Sequence, residues 1–203
     1  MGAPQTAART AEAAPRARRL TPEREGELYD AVLDGLREYG YDALTMNAVA
    51  ARSHCSKATL YRQWQGKPRL VAAALRHCKP FDLDGLDTGS LAGDLHELVR
   101  RFTGARKDVE LARIISPALH RNPDLAEALH QAVVEPELAT LREIVERAVA
   151  RGEIPADSPT AARLPHLLIG AVLARPIVER READADYLEH FLETVILRAL
   201  VST

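Results

Sequence analysis

The residues best equipped for chemistry stand between Thr45 and Lys67. Lys57, Arg62 and Lys67 follow one another at even spacing, and no acidic residue between Asp42 and Asp82 stands ready to neutralise them or Arg52, Arg69, Arg76 and Lys79. Cationic side chains without anionic neighbours attract phosphate. Thr45 and Ser56 add hydroxyls immediately ahead of short helical patterns. There a side chain caps the helix, and the helix N-terminus itself favours an anion. Tyr61 carries a phenol whose hydroxyl can reach a phosphate, or is a core aromatic like Trp64. The competing reading of these residues is structural: a solvated basic face and two ordinary caps.

The elements that must carry this set are two short helices, expected over about 46–53 and 57–64, joined by Ser53-His54-Cys55. Two short capped helices with a tight turn form a helix-turn-helix, whose second helix enters the major groove of DNA. A helix with its side chains is about 10–12 Å across, which matches the groove. Small residues such as Ala58 and Thr59 let it sit deep enough to touch base edges. Val49, Ala50, Cys55 and Leu60 are read as the packing seam between the two helices, and Trp64 as a core aromatic.

A preceding helix, expected over about 22–39, is announced by Thr21 as cap, Pro22 at the first helical position and acids in the first turn. Leu28, Val32, Leu33 and Leu36 supply its apolar stripe, and Gly40 its stop. A following helix is expected from Gly66 through Leu70, Val71, Ala74 and Leu75 to about Lys79.

The formal charge of −2 over 203 residues conceals an asymmetry. Residues 1–79 hold 13 Lys+Arg against 8 Asp+Glu, and residues 80–203 hold 14 against 21. Abundant Ala and Leu, few aromatics and no alternating β-branched runs favour an all-α fold. Composition breaks at Lys79–Ser90, where Pro80, Asp82, Asp84, Gly85, Asp87 and Gly89 crowd together. Three regions are therefore expected: a basic arm over 1–20, a three-helix DNA-binding unit over 21–79 and a larger helical domain over 80–203.

Other classes find little support. Gly-rich phosphate loops, nucleophile elbows and spaced metal clusters do not occur, so neither an enzyme nor a cofactor is expected. His54-Cys55 and His77-Cys78 combine zinc-ligand types at a spacing unsuited to one ion, so no metal is expected. Two cysteines in a chain of this length fit a reducing cytoplasm. No signal peptide and no apolar run of about 20 residues is read, so no membrane partner is expected.

Beyond Ser90 the helices lengthen: one from Ser90, another from Asp108 that Pro117 must bend or end, and a long one from Pro123 to Arg151 interrupted by Pro136. Two last helices are expected over about 159–180 and 184–201. Leu98, Phe102, Ile115, Leu119 and Leu129 are candidate walls of a ligand pocket, together with Val133, Leu141, Leu168 and Val172. The same residues read equally well as plain core. Scarce aromatics favour an aliphatic or small amphipathic effector, with His120, His130, Arg113 or Arg175 as polar anchors. The final helices carry more apolar surface than one face needs, namely Leu164, Leu167 and Ala171, then Leu188, Phe191, Leu192, Val195 and Ile196. They are candidates for an isologous four-helix homodimer interface.

Ala50-Ala51-Arg52 through Ser56-Lys57-Ala58-Thr59-Leu60-Tyr61-Arg62-Gln63-Trp64, followed by Gly66-Lys67 and Leu70-Val71-Ala72-Ala73-Ala74-Leu75, resembles the TetR family of transcriptional regulators. The resemblance covers residues 21–79 closely and the remainder by helix pattern alone. It implies a dimer on a palindromic double-stranded operator, a small-molecule effector in the C-terminal domain, and repression as the default output. It also implies DNA-facing positions for Thr45, Lys57, Thr59, Tyr61 and Lys67, with Arg62 where the family often has another polar residue. His54 departs from the family's usual Gly, at a turn position expected to need a positive φ. Gly66-Lys67-Pro68 departs from the commoner Ser-Lys-acid, and Pro68 remains compatible with a helix's first turn.

Overall fold

The computed structural model describes residues 20–78, 83, 85–103 and 107–201, except the side chains of residues 107–110 and 112. The expected arm over 1–20 lies outside the described residues apart from Leu20, as does most of the junction over 79–84. Every regular element described is helical, in agreement with the all-α expectation.

Helix α1 (Pro22–Ala43) starts where Thr21 accepts from the Arg24 N–H. Gly40 breaks its regularity with φ 72°, and the backbone N–H of Leu44 returns to the Gly40 carbonyl. Thus the predicted stop at Gly40 is a kink, and helical turns resume beyond it. Helices α2 (Met46–Arg52), α3 (Lys57–Trp64) and α4 (Lys67–His77) follow within one or two residues of expectation. Leu28, Val32, Leu36, Val49, Leu60, Leu70 and Val71 are buried together and form the first core.

That core does not end with α4. Leu111, Ile115 and Ala118 of α6 (Lys107–Leu119) and Leu125 of α7 (Pro123–Leu129) belong to it. Helix α1 packs on α6, and α4 on α7. A second core joins α5 (Leu91–Thr103), α8 (Glu135–Ala150), α9 (Leu164–Val178), α10 (Ala185–Phe191) and α11 (Leu197–Val201) around Leu95, Ile144, Leu164, Leu192 and Leu200.

Two prolines expected to interrupt helices sit in different settings. Pro117 lies inside α6, close to its end. Pro136 has no N–H, and the chain just before it widens into a π-helical turn, His130–Val134, that joins α7 to α8 without a break. A second π-turn, Leu192–Ile196, joins α10 to α11.

Ala161–Val178, at mean hydropathy 1.3, corrects one expectation, being long and apolar enough to cross a membrane by length and composition. Yet Arg175 in its last turn is buried and donates to Asp184 Oδ1 at 2.9 Å and to the Glu182 carbonyl at 2.8 Å. Arg175 is therefore spent fastening α9 to α10 and is not available as the polar anchor envisaged for it.

Candidate nucleic-acid interface

The turn between α2 and α3 is built from the backbone outward. Ser53 is buried and returns its hydroxyl to the Val49 carbonyl at 2.8 Å, while the Cys55 N–H reaches the Ala50 carbonyl at 3.0 Å. Between them His54 takes φ 51°, the left-handed conformation that the departure from Gly had put in question. Ser56 then starts α3 by accepting from the Thr59 N–H at 3.1 Å, and the Ser56 and Thr59 hydroxyls meet at 2.8 Å. Thr45 starts α2 in the same way, accepting from Ala48 at 3.1 Å.

Leu60 and Trp64 turn into the core and fix which side of α3 faces out. That outer side presents Lys57, Ala58, Tyr61 and Arg62, all exposed, with Tyr61 at 45%. Lys57 Nζ lies 5.8 Å from the centre of the Tyr61 ring, so cation and phenol share one patch. Among the described residues neither Lys57 nor Arg62 is paired with a carboxylate, whereas Arg52 is paired with Glu38 at 2.8 Å. Thr45 and Ser56 sit exposed at the two helix starts beside this patch, and Thr59 is half-buried behind it.

Lys67 lies differently from the rest. Its Nζ donates to the Tyr41 carbonyl at 2.9 Å and sits 4.2 Å from the centre of the Tyr41 ring. Burial holds the ammonium below its ordinary range, against the opposing pull of Asp42. The structure thus uses Lys67 to tie the start of α4 to the kinked end of α1.

Sequence pattern missed the residues that brace the reader. Arg24 donates to the Ser53 carbonyl at 3.1 Å, and Gln63 Nε2 donates to Glu25 at 2.7 Å, so the first turn of α1 grips both the turn and the last turn of α3. No local signal could reveal contacts between residues so far apart in the chain.

The nine candidate pocket residues do not all belong to one core. Ile115, Leu119 and Leu129 pack into the first core; Leu98, Phe102, Leu141, Leu168 and Val172 belong to the second; Val133 is half-buried on the π-turn. The pattern found apolar faces, and the chain divides them between two interiors. None lines either of two clefts that are present. One, of 330 Å³, lies between α1 and α2 and is walled by Ala31, Gly35, Tyr39, Ala48 and Arg52 among others. The other, of 240 Å³, is walled by Leu83, Leu86, Asp87, Thr140, Glu143 and Arg147 among others.

The candidate dimer residues also need sorting by face. Leu164, Ala171, Leu188, Leu192 and Ile196 are buried inside the protomer, Leu167 and Phe191 are half-buried, and Val195 is exposed. The large outward apolar residues of α9 are Ile169, Leu173, Ile177 and Val178, the last two 81% and 78% exposed, with Val195 and Val201 exposed nearer the C-terminus. Among the described residues no group of His, Cys, Asp or Glu is arranged to hold a metal ion.

A helix-turn-helix with its reader exposed defines a DNA-binding protein of the helix-turn-helix type. The family description "Bacterial regulatory proteins, tetR family" matches residues 28–74, and "Tetracyclin repressor-like, C-terminal domain" matches residues 86–195. The uncharacterized HTH-type transcriptional regulator Rv1556 of Mycobacterium tuberculosis is 35% identical over 87% of this chain and 88% of its own length. The DNA-binding transcriptional repressor TetR of Mycobacteroides abscessus is 30% identical over 86% and 92%. The crystal structure of the TetR family transcription regulator SCO0332 superposes with a TM-score of 0.62 at 27% identity, covering 89% of this chain and 97% of that one. The chain belongs to the TetR family of transcriptional regulators, and is accordingly a regulator and not an enzyme.

Proposed function

We propose that this chain is a cytoplasmic, effector-responsive repressor that binds a palindromic operator as a homodimer, with α3 of each protomer in the major groove. The observation that carries the reading is the outer face of α3, where Lys57, Tyr61 and Arg62 stand exposed and, among the described residues, without a carboxylate partner. Lys57, Tyr61 and Arg62 hold phosphates, with Ser56 and Thr45 adding hydroxyls at the helix starts. Ala58 allows close approach to the bases, and Thr59 stiffens the cap from behind. Residues 21–79 act as the DNA-binding unit and 80–203 as the effector and dimer domain.

Two readers on one duplex require a two-fold partner. Ile169, Leu173 and Ile177, continued by Val195 and Val201, offer an apolar face suited to a second copy of itself. Half-sites would then stand roughly 34–36 Å apart, or a multiple of that. The effector is an aliphatic or small amphipathic molecule taken up among the C-terminal helices. It releases DNA only by binding the unproductive arrangement better than the DNA-bound one.

Selection of bound duplexes from a random pool, followed by titration of the enriched duplex against salt, tests this reading. An inverted repeat should emerge, and log affinity should fall with log salt at about −0.9 per neutralised phosphate. Recovery of no duplex in dilute buffer would end the proposal.

A further inference from the structure

Pro136, which has no N–H, withdraws one donor from the backbone ladder of its own helix. A regular helix gives each carbonyl the N–H four residues ahead, and for Ala132 that position is Pro136, which has no N–H. The π-turn over His130–Val134, closed by the Glu135 N–H on the His130 carbonyl, brackets the same residue. Arg76 supplies a side-chain donor there: its Nη1 donates to the Ala132 carbonyl at 3.1 Å. Arg76 lies in the last turn of α4, the helix that follows the reader, and α4 packs on α7 and on this π-turn.

We propose that Arg76 is a positioning residue for operator recognition: by donating to the Ala132 carbonyl, from which Pro136 withholds the regular helical N–H, it sets the angle at which α4 carries the reader on the C-terminal helices. The inference rests on the paired-reader function proposed above. Its physical basis is directional. Apolar packing between α4 and α7 tolerates small rotations, whereas a charge-assisted hydrogen bond to a fixed carbonyl does not. In a dimer a small rotation of α4 changes the separation of the two readers, so loss of the bond should appear as loss of discrimination between spacings. Arg76 also stands at the negative end of the α4 dipole and could serve the stability of α4 alone. That role would change melting and leave the spacing preference intact.

The test uses the full chain and duplexes carrying two copies of the selected half-site at stepped separations. Wild type should prefer one separation. Arg76→Ala should bind that duplex about three- to ten-fold more weakly, flatten the preference, and bind an isolated half-site as wild type does. Arg76→Lys, which retains a donor, should recover part of the preference. Pro136→Ala supplies the helical N–H that competes with Arg76 for Ala132, so it should reproduce the Arg76→Ala profile, and the double variant should be no worse than either single one. An unchanged preference in Arg76→Ala overturns the inference, and so does an impaired Arg76→Ala beside a normal Pro136→Ala. If wild type itself binds no duplex, or binds every separation alike, the paired-reader function fails and carries this inference down with it.

Discussion

Gln63, on the inner flank of the reader helix, gives one amide hydrogen to Glu25 in the first turn of α1 at 2.7 Å, and its buried Oε1 has no hydrogen-bond partner among the described residues. The side chain is therefore held from one side only. Glu25→Ala leaves a half-buried amide unpaired, at a cost of about 1 kcal/mol. For a domain of this size that lowers the melting temperature by about 2–4 °C. The reader also loses its brace, so operator affinity should fall in the same variant. Melting identical to wild type would show that the contact contributes nothing.

Lys57 and Tyr61 face outward and touch little of the protein, so removing them should affect binding and spare the fold. Lys57→Ala is expected to reduce the steepness of the salt dependence by about 0.9 for each phosphate it holds. Tyr61→Ala is expected to weaken operator binding with the dimer intact. Sedimentation paired with fluorescence anisotropy separates the two effects. Normal operator affinity in both variants would mean that the DNA lies elsewhere.

The parts of this protein legible in its sequence are those governed by neighbours along the chain. Thr21, Thr45, Ser56 and Asp184 each cap the helix that follows, because a cap needs only the next three residues. His54 takes the positive φ that its turn demands, and Pro136 marks the helix irregularity. What escaped depends on tertiary neighbours. That Arg76 donates to the Ala132 carbonyl cannot be read from either residue. Lys67 carries the charge of a phosphate ligand, and only the fold shows its ammonium turned onto Tyr41. Helix α9 is apolar on nearly every side, so periodicity cannot choose its inner face. For that reason Leu164 and Ala171, which the pattern marked for the dimer, are buried in the protomer, while Ile169, Leu173 and Ile177 point out.

His96 on α5 links two elements of the second core through a titrating group. Its Nδ1 lies 2.5 Å from Glu189 of α10 and its Nε2 2.7 Å from Glu193 of the following π-turn. The imidazolium, with a proton on each nitrogen, is the form that donates to both. Burial pulls the imidazole down, but the bonds to Glu189 and Glu193 outweigh it and hold the group above its ordinary value. A group raised in the folded state adds stability that is fully present below its unfolded pKa, about 6.5, and is lost as pH climbs through the folded value. Wild type should therefore melt above His96→Gln by a larger margin at pH 6 than at pH 8.5. A margin independent of pH would mean that the imidazole stays neutral between the two glutamates.

The outward face of α9 yields the most direct test of assembly. Leu173 is 53% exposed in the isolated protomer, so replacing it removes little from the core. A carboxylate there disturbs the protomer slightly, yet in a two-fold interface it would be buried close to its symmetry mate without a cation to meet it. Burying an unpaired charge is among the costliest single changes an interface can suffer. Leu173→Glu should therefore sediment as a folded monomer with near-normal melting. A monomer holds one half-site at a time and loses the gain from linking two binding events, which ordinarily reaches a hundredfold or more, so affinity for the inverted repeat should drop by about that factor. Affinity for an isolated half-site should change little. If Leu173→Glu remains a dimer, the two protomers meet through some other surface, and the face formed by Ile169, Leu173 and Ile177 must be covered in another way.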